Sequence, residues 1–144
     1  YPREKDYTDT HIAIINALKA GASDIYILGA TGTRMDHTFT NICNMKAALD
    51  CDVPCFIYDK HNKVYLVNDN MGEVKLAKDG QYGEYVSIVP LSEEAVISLS
   101  GFKYTLDNYV LHQGLSICQS NEIKENEAVI NIKKGLVIVF ETKD

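Results

Sequence analysis

The spacing of apolar residues along the chain changes character near residue 60. Before that point, Ile12, Ile15 and Leu18 recur at helical spacing behind Thr8 and Asp9, both good N-cap residues, and Gly21 supplies a natural stop. A helix is therefore expected over residues 10 to 20. The run Asp24 to Leu28 carries β-branched and apolar residues on both parities, the pattern of a parallel strand covered on both faces, and it opens into Gly29-Ala30-Thr31-Gly32. A second helix is expected over His37 to Leu49, where Phe39, Ile42, Met45, Ala48 and Leu49 recur at spacings of three and four. Val53 to Tyr58 then reads as another strand.

Beyond residue 60 the helical spacing disappears. Short alternating runs follow at residues 63–67, 72–77, 85–89, 95–100, 128–132 and 136–141, separated by turn formers such as Asn68-Asp69-Asn70, Asp79-Gly80 and Lys134-Gly135. The expected fold class is α/β, a partial doubly wound, Rossmann-like sheet, followed by an all-β antiparallel sandwich or barrel. The boundary falls near residues 59 to 63, giving domains 1–61 and 62–144.

Composition narrows this picture only in places. With 144 residues, 46% of them hydrophobic and 24% charged, the chain can bury a core without staples. A formal net charge of −6, from 20 acidic and 14 basic residues spread along the chain, argues against a nucleic-acid partner. No apolar run approaches the roughly 20 residues needed to span a bilayer, and no signal-like segment opens the chain, so no membrane association and a soluble, cytoplasmic protein are expected. Cys43, Cys51, Cys55 and Cys118 lack CxxC spacing and form no metal-ligand pattern with the histidines; reduced, mostly buried thiols are expected. The chain starts at Tyr1-Pro2-Arg3 without an initiator Met, which leads us to expect further chain upstream.

Three segments could carry chemistry. In Lys5-Asp6-Tyr7-Thr8-Asp9, two carboxylates three residues apart lie at a helix start, where they suit Mg²⁺ bridging to phosphate oxygens, although from spacing alone plain capping is the more common use of Asp there. In Gly29-Ala30-Thr31-Gly32-Thr33-Arg34-Met35-Asp36-His37, a glycine loop leaves the carboxyl end of a parallel strand and enters a helix, a place where anions bind, and Arg34 offers a fork of donors for phosphate. The loop is neither GxGxxG nor a GK[ST] P-loop, and a tight turn with Asp36 as N-cap and Arg34 as a solvated charge explains it as well. In the β-rich half, Gly101 to Asn108 and Gly114 to Glu122 are dense in polar residues that could meet a small heterocycle or serve as turns.

Taken in order, these segments resemble the thiamine pyrophosphokinase family. Lys5 to Asp9 matches its KDxTD segment, Gly29 to His37 its GxxGxRxDH segment, Gly101 to Asn108 its GxKYxLxN segment, and Gln119 to Glu122 its GxSNE-like segment. The resemblance implies that the thiamine hydroxyl attacks the β-phosphorus of ATP, giving thiamine diphosphate and AMP, with Mg²⁺ as cofactor and ATP as co-substrate. It implies that Asp6 and Asp9 hold Mg²⁺ and act as the catalytic carboxylates, and that Thr8, Gly29, Gly32 and Arg34 bind ATP phosphates. Arg34, Asp36, Ser120 and Asn121 would bind thiamine, Asp36 accepting from the pyrimidine amino group.

Family members are homodimers with active sites at the subunit interface, so Ser120 and Asn121 are expected to serve the partner chain's site. Two positions depart from the family pattern, which commonly has Gly where this chain has Thr33 and Pro where it has Thr105; Thr tolerates positive φ poorly. The resemblance also implies an aspartate-rich N-terminal segment that completes the Mg²⁺ and ATP site, so the 144 residues alone are expected to be inactive. A non-catalytic thiamine- or nucleotide-binding module is the alternative.

Overall fold

The computed structural model describes residues 7 to 144. The elements are helix α1 (Asp9–Lys19), strand β1 (Ile25–Leu28), helices α2 (Met35–Asn44) and α3 (Lys46–Asp50), and strands β2 (Cys55–Tyr58) and β3 (Asn62–Asn68). They continue with β4 (Glu73–Ala77), β5 (Tyr85–Pro90), β6 (Glu94–Ser100), β7 (Leu106–His112), β8 (Glu127–Lys134) and β9 (Leu136–Thr142). The strand order is β1-β2-β3-β9-β5 in a mixed sheet and β4-β8-β6-β7 in an antiparallel one. Two compact units emerge: residues up to Lys60 with Val64–Leu66, and His61–Lys63 with Val67–Asp144.

In the first unit, α1 starts where its cap dictates. Thr8 lies in the extended region and its Oγ1 accepts the His11 N–H at 3.2 Å, while Gly21, at φ +82°, closes the helix. Strands β1 and β2 are parallel, pairing Ile25 with Cys55 and Leu28 with Tyr58, with α2 and α3 between them in sequence. Parallel pairing needs such a crossover, because a tight turn cannot reverse the chain twice.

Two expectations need correction here. The helix foreseen over residues 37–49 is two helices, because at Met45 the bonding tightens: its N–H reaches Ile42 O at 3.2 Å, and α3 begins one residue later. Arg34, not Asp36, is the N-cap of α2, and no side chain caps that end; Asp36 lies in the first turn. Among the described residues, strand β1 is covered on one face. Ile25 is buried, but Tyr26 and Leu28 on the other parity are 58% and 76% exposed, Tyr26 stacking on Phe56 at 5.7 Å. Among the described residues strand β1 is the end strand of its sheet, and apolar character on both parities does not reveal which segment supplies each layer. The buried residues of this unit are Ile14, Ile25, Ala30, Ile42, Met45, Ala48, Cys55 and Ile57, with Val64, Tyr65 and Leu66.

In the second unit, burial separates two kinds of strand. β6 and β8 alternate cleanly, Ala95, Ile97 and Leu99 against Ala128, Ile130 and Ile132, as expected when one sheet face is packed and the other is wet. β5 and β9 instead bury consecutive residues, Val86-Ser87-Ile88 and Val137-Ile138-Val139, so both of their faces are covered. A single residue, Gly135 at φ +97°, separates β8 in one sheet from β9 in the other. Strand β7 is not foreseen by hydrophobic alternation, since only Leu111 is buried within Leu106-Asp107-Asn108-Tyr109-Val110-Leu111-His112. Its pairing with β6, from Leu99–Leu106 to Glu94–His112, makes it a strand nonetheless. Among the described residues, no helix is long and apolar enough to cross a membrane. The four cysteines are free thiols, but only Cys55 is buried and Cys51 is exposed, so the expectation of mostly buried thiols is also corrected.

Candidate functional site

Asp6 lies outside the described residues. Asp9 occupies the first turn of α1, exposed, where the helix N-terminus favours negative charge. Thr8 does more than cap: its Oγ1 also accepts from Asn44 Nδ2 at 3.0 Å, tying the start of α1 to the end of α2. Among the described residues no group of three or more His, Cys, Asp or Glu gathers in a metal-ligand cluster.

The loop after β1 is held from several directions. Gly29 takes φ +73°, the left-handed conformation that turns the chain out of the strand, whereas Gly32 and Thr33 stay out of that region. Thr in place of Gly at residue 33 therefore sets no strain in this loop. Gly32 N–H donates to Thr38 Oγ1 at 3.3 Å, Asn41 Nδ2 donates to Ala30 O at 2.9 Å, and Thr31 Oγ1 donates to Asp59 Oδ2 at 2.7 Å. Asp59 immediately follows β2, so the carboxyl ends of two parallel strands meet through this bond. Such ends are where ligands of open α/β sheets bind.

Arg34 and Asp36 come together as a bidentate pair, Nε to Oδ1 at 3.2 Å and Nη2 to Oδ2 at 2.6 Å, with side chains 65% and 64% exposed. The Arg34 hydrogen bonds hold the Asp36 carboxyl below the ordinary aspartate range, and the His37 N–H, donating to Oδ1 at 2.9 Å, acts in the same direction. The Arg34 guanidinium is raised by the same pair. Asp36 is thus an ionised acceptor at neutral pH, and Arg34 keeps further donors for another anion.

In the second unit, Ser120 and Asn121 adjoin one another with opposite surroundings. Ser120 is exposed at φ +55°, an unusual conformation for a non-glycine residue, and its N–H donates to Ser87 Oγ at 2.9 Å. Asn121 is 4% exposed and its carboxamide is engaged with the backbone at Tyr104 and Glu122. Nearby Cys118, also left-handed at φ +69°, has its thiol pushed up to about 11 by burial, so it is neutral.

Sequence reasoning missed Thr31 and Asp59 as a pair, and Asn41, Ser87 and Tyr104 as supports. For Asp59 a signal existed, an aspartate directly after a parallel strand; for the others no local pattern marks the role.

The sequence matches two family models, "Thiamin pyrophosphokinase, catalytic domain" over residues 1–57 and "Thiamin pyrophosphokinase, vitamin B1 binding domain" over residues 73–137. It is 32% identical over 145 residues to the thiamine pyrophosphokinase of Bacillus subtilis (strain 168), covering 100% of this chain and 66% of that protein. It is 25% identical over 149 residues to thiamin pyrophosphokinase 1 of Caenorhabditis elegans, covering 98% of this chain and 60% of the relative. Among solved structures, the Bacillus subtilis thiamine pyrophosphokinase superposes with a TM-score of 0.90 at 32% identity, over 98% of this chain and 65% of that one. The Geobacillus thermodenitrificans thiamin pyrophosphokinase gives a TM-score of 0.86 at 32% identity, over 100% of this chain and 65% of that one. The chain spans slightly less than two thirds of the length of these relatives.

Proposed function

Because this chain belongs to the thiamine pyrophosphokinase family, we propose that its full-length protein is a thiamine diphosphokinase, transferring pyrophosphate from ATP to thiamine to give thiamine diphosphate and AMP. The observation that carries this reading is the ordered match of both models, the catalytic one within the first unit and the vitamin-binding one within the second. On this reading residues 1–61 are the later part of an ATP-binding domain with a doubly wound, Rossmann-like sheet, and residues 62–144 are a thiamine-binding β-sandwich. The parallel β1–β2 pair supports the first assignment and the alternating burial of β6 and β8 the second.

In the reaction the thiamine hydroxyl oxygen bonds to the β-phosphorus as the bond to the α-phosphate oxygen breaks and AMP leaves. Orientation and charge neutralisation are the main demands on the protein. Asp9, with Asp6, would hold Mg²⁺. Mg²⁺ keeps several waters and needs only one or two carboxylates beside substrate phosphates, so an exposed aspartate outside any larger cluster fits it. When bound, Mg²⁺ neutralises charge on the phosphate oxygens.

Thr8, Gly29, Gly32 and Arg34 bind the phosphates, Arg34 with the donors that Asp36 leaves free. Asp36, held ionised, accepts from the thiamine amino group, and Ser120 and Asn121 supply the thiamine-binding part of the second unit. The active form is a cytoplasmic homodimer with active sites at the subunit interface. Calorimetry with thiamine on the full-length protein and on Asp9→Ala tests the division of roles: the variant retains thiamine binding and loses turnover. Loss of thiamine binding in Asp9→Ala contradicts it, and thiamine binding without turnover in the unmodified protein identifies a binding module.

A further inference from the structure

The two segments of the first unit that the proposed function places at ATP, Thr8–Asp9 and Gly29 to Arg34, carry threonine hydroxyls, and the hydrogen bonds give those hydroxyls different tasks. A threonine hydroxyl has two lone pairs to accept with and one hydrogen to give. Thr31 gives its hydrogen to Asp59 Oδ2 at 2.7 Å, and Thr38, in the first turn of α2, gives its own to the Arg34 carbonyl oxygen at 3.3 Å. Both of these hydrogens are spent on holding the loop.

Thr8 is the reverse case. Its Oγ1 accepts the His11 N–H at 3.2 Å and Asn44 Nδ2 at 3.0 Å, and each of these partners is a donor. With both lone pairs filled, what the Thr8 side chain has left to offer is its hydrogen. That hydrogen lies at the start of α1, where bonding within the helix begins with Ile12 N–H on the Thr8 carbonyl oxygen at 3.0 Å and the earlier N–H groups point out of the helix. A hydroxyl hydrogen there joins a group of donors that favours an anion.

Asn44 is the residue that fills the second lone pair. It ends α2, 36 positions along the chain from Thr8. One turn earlier on the same helix, Asn41 Nδ2 donates to the Ala30 carbonyl oxygen at 2.9 Å. Two carboxamides at adjacent turns of α2 thus reach the two segments. Without Asn44, one lone pair on Thr8 Oγ1 opens and the hydroxyl can turn to give its hydrogen elsewhere.

We propose that Asn44 is a positioning residue for ATP: by donating to Thr8 Oγ1 it fixes the Thr8 hydroxyl as a donor, and that hydroxyl gives its hydrogen to a phosphate oxygen of the nucleotide. The inference rests on the proposed function and says which atom of Thr8 meets the phosphate and what aims it. Asn44 itself does not touch the nucleotide.

The test is a double-mutant cycle on the full-length protein. Affinity for ATP with Mg²⁺ is read by calorimetry without thiamine, affinity for thiamine is read separately, and folding is checked by thermal melts. Asn44→Ala is expected to weaken ATP roughly threefold to tenfold, the worth of one hydrogen bond, and to leave thiamine affinity unchanged. Ala is the better helix former, so α2 survives the change. Thr8→Val is expected to weaken ATP at least as much, and adding Asn44→Ala to it to weaken ATP no further. Thr8→Ser, which keeps the hydroxyl, loses less than Thr8→Val. Thr8→Gly, a residue tolerated at N-caps, gives the same comparison if Thr8→Val does not fold.

Losses that multiply in the double variant mean that Asn44 acts on ATP without the Thr8 hydroxyl, and a lower melting temperature with unchanged ATP affinity in Asn44→Ala means that its bond serves the fold alone. Either result overturns the proposal, as does an equal loss of ATP and thiamine affinity. In these cases the unmodified protein still forms AMP when thiamine is supplied, and the proposed function stands. If the unmodified protein forms no thiamine-dependent AMP, the proposed function fails and this inference with it.

Discussion

The bidentate contact between Arg34 and Asp36 ties a charge state to a geometry. The arginine hydrogen bonds depress the Asp36 carboxyl relative to an ordinary aspartate, so the pair's contribution is present above the unfolded-state pKa and lost as pH falls through the lower folded value. Both side chains are largely exposed, so that contribution to stability is small. A carbon-detected NMR titration of the Asp36 carboxyl checks this directly: it titrates below the ordinary range in the unmodified protein and returns toward it in Arg34→Ala. For activity, Asp36→Asn preserves shape and removes charge, and steady-state kinetics are expected to show KM for thiamine rising roughly tenfold or more, as befits a lost charge-assisted hydrogen bond.

At this scale the sequence was informative where residues lie close together. Arg34 and Asp36 are two apart in a recognisable motif, whereas Thr31 and Asp59 sit 28 apart. Nothing in local spacing reports that two strand ends will meet. Asn121 is harder still, because its type and neighbours read as turn chemistry and only the fold reveals that its carboxamide faces Tyr104.

Elements were legible in proportion to how regularly they bury one face. α1, β6 and β8 have an unambiguous period and a clear stop signal, and each lies close to its expected position. Strand β7 hides because six of its seven residues are not buried, so the pairing with β6 rather than burial defines it. The break at Met45 is equally hidden, since no Gly or Pro marks it and the apolar spacing runs on through it.

Glycines at element ends allow a sharper prediction. Gly29 and Gly101 have nearly the same φ, +73° and +76°, but a Cβ at Gly29 meets nothing within 4 Å while one at Gly101 collides with the Glu127 carbonyl oxygen. Gly29→Ala should cost about 1–2 kcal/mol, the backbone term alone. Gly101→Ala should cost about 3 kcal/mol or more, because overpacking adds to it. Urea unfolding of the two variants separates the terms.

For the molecule as a whole, stability is centred on side chains with no exposed surface, such as Ile97 and Ile130, both fully buried. Ile130→Ala is expected to lower the unfolding free energy by about 2–5 kcal/mol, which chemical denaturation would register. The change from helical to alternating spacing near residue 60 was visible in the sequence. The exposed outer parity of β1 was not, because a strand's composition records the environment of the folded protein without saying which layer provides it.

The proposed function likewise rests on the whole molecule, through the ordered match of a catalytic-domain model over residues 1–57 and a vitamin-B1-binding model over residues 73–137. The most direct measurement is AMP formation by the full-length protein supplied with ATP, Mg²⁺ and thiamine. Family membership and the proposed roles predict AMP and thiamine diphosphate in equal amounts, with no AMP when thiamine or Mg²⁺ is left out; absence of thiamine-dependent AMP from the folded full-length protein would contradict the account.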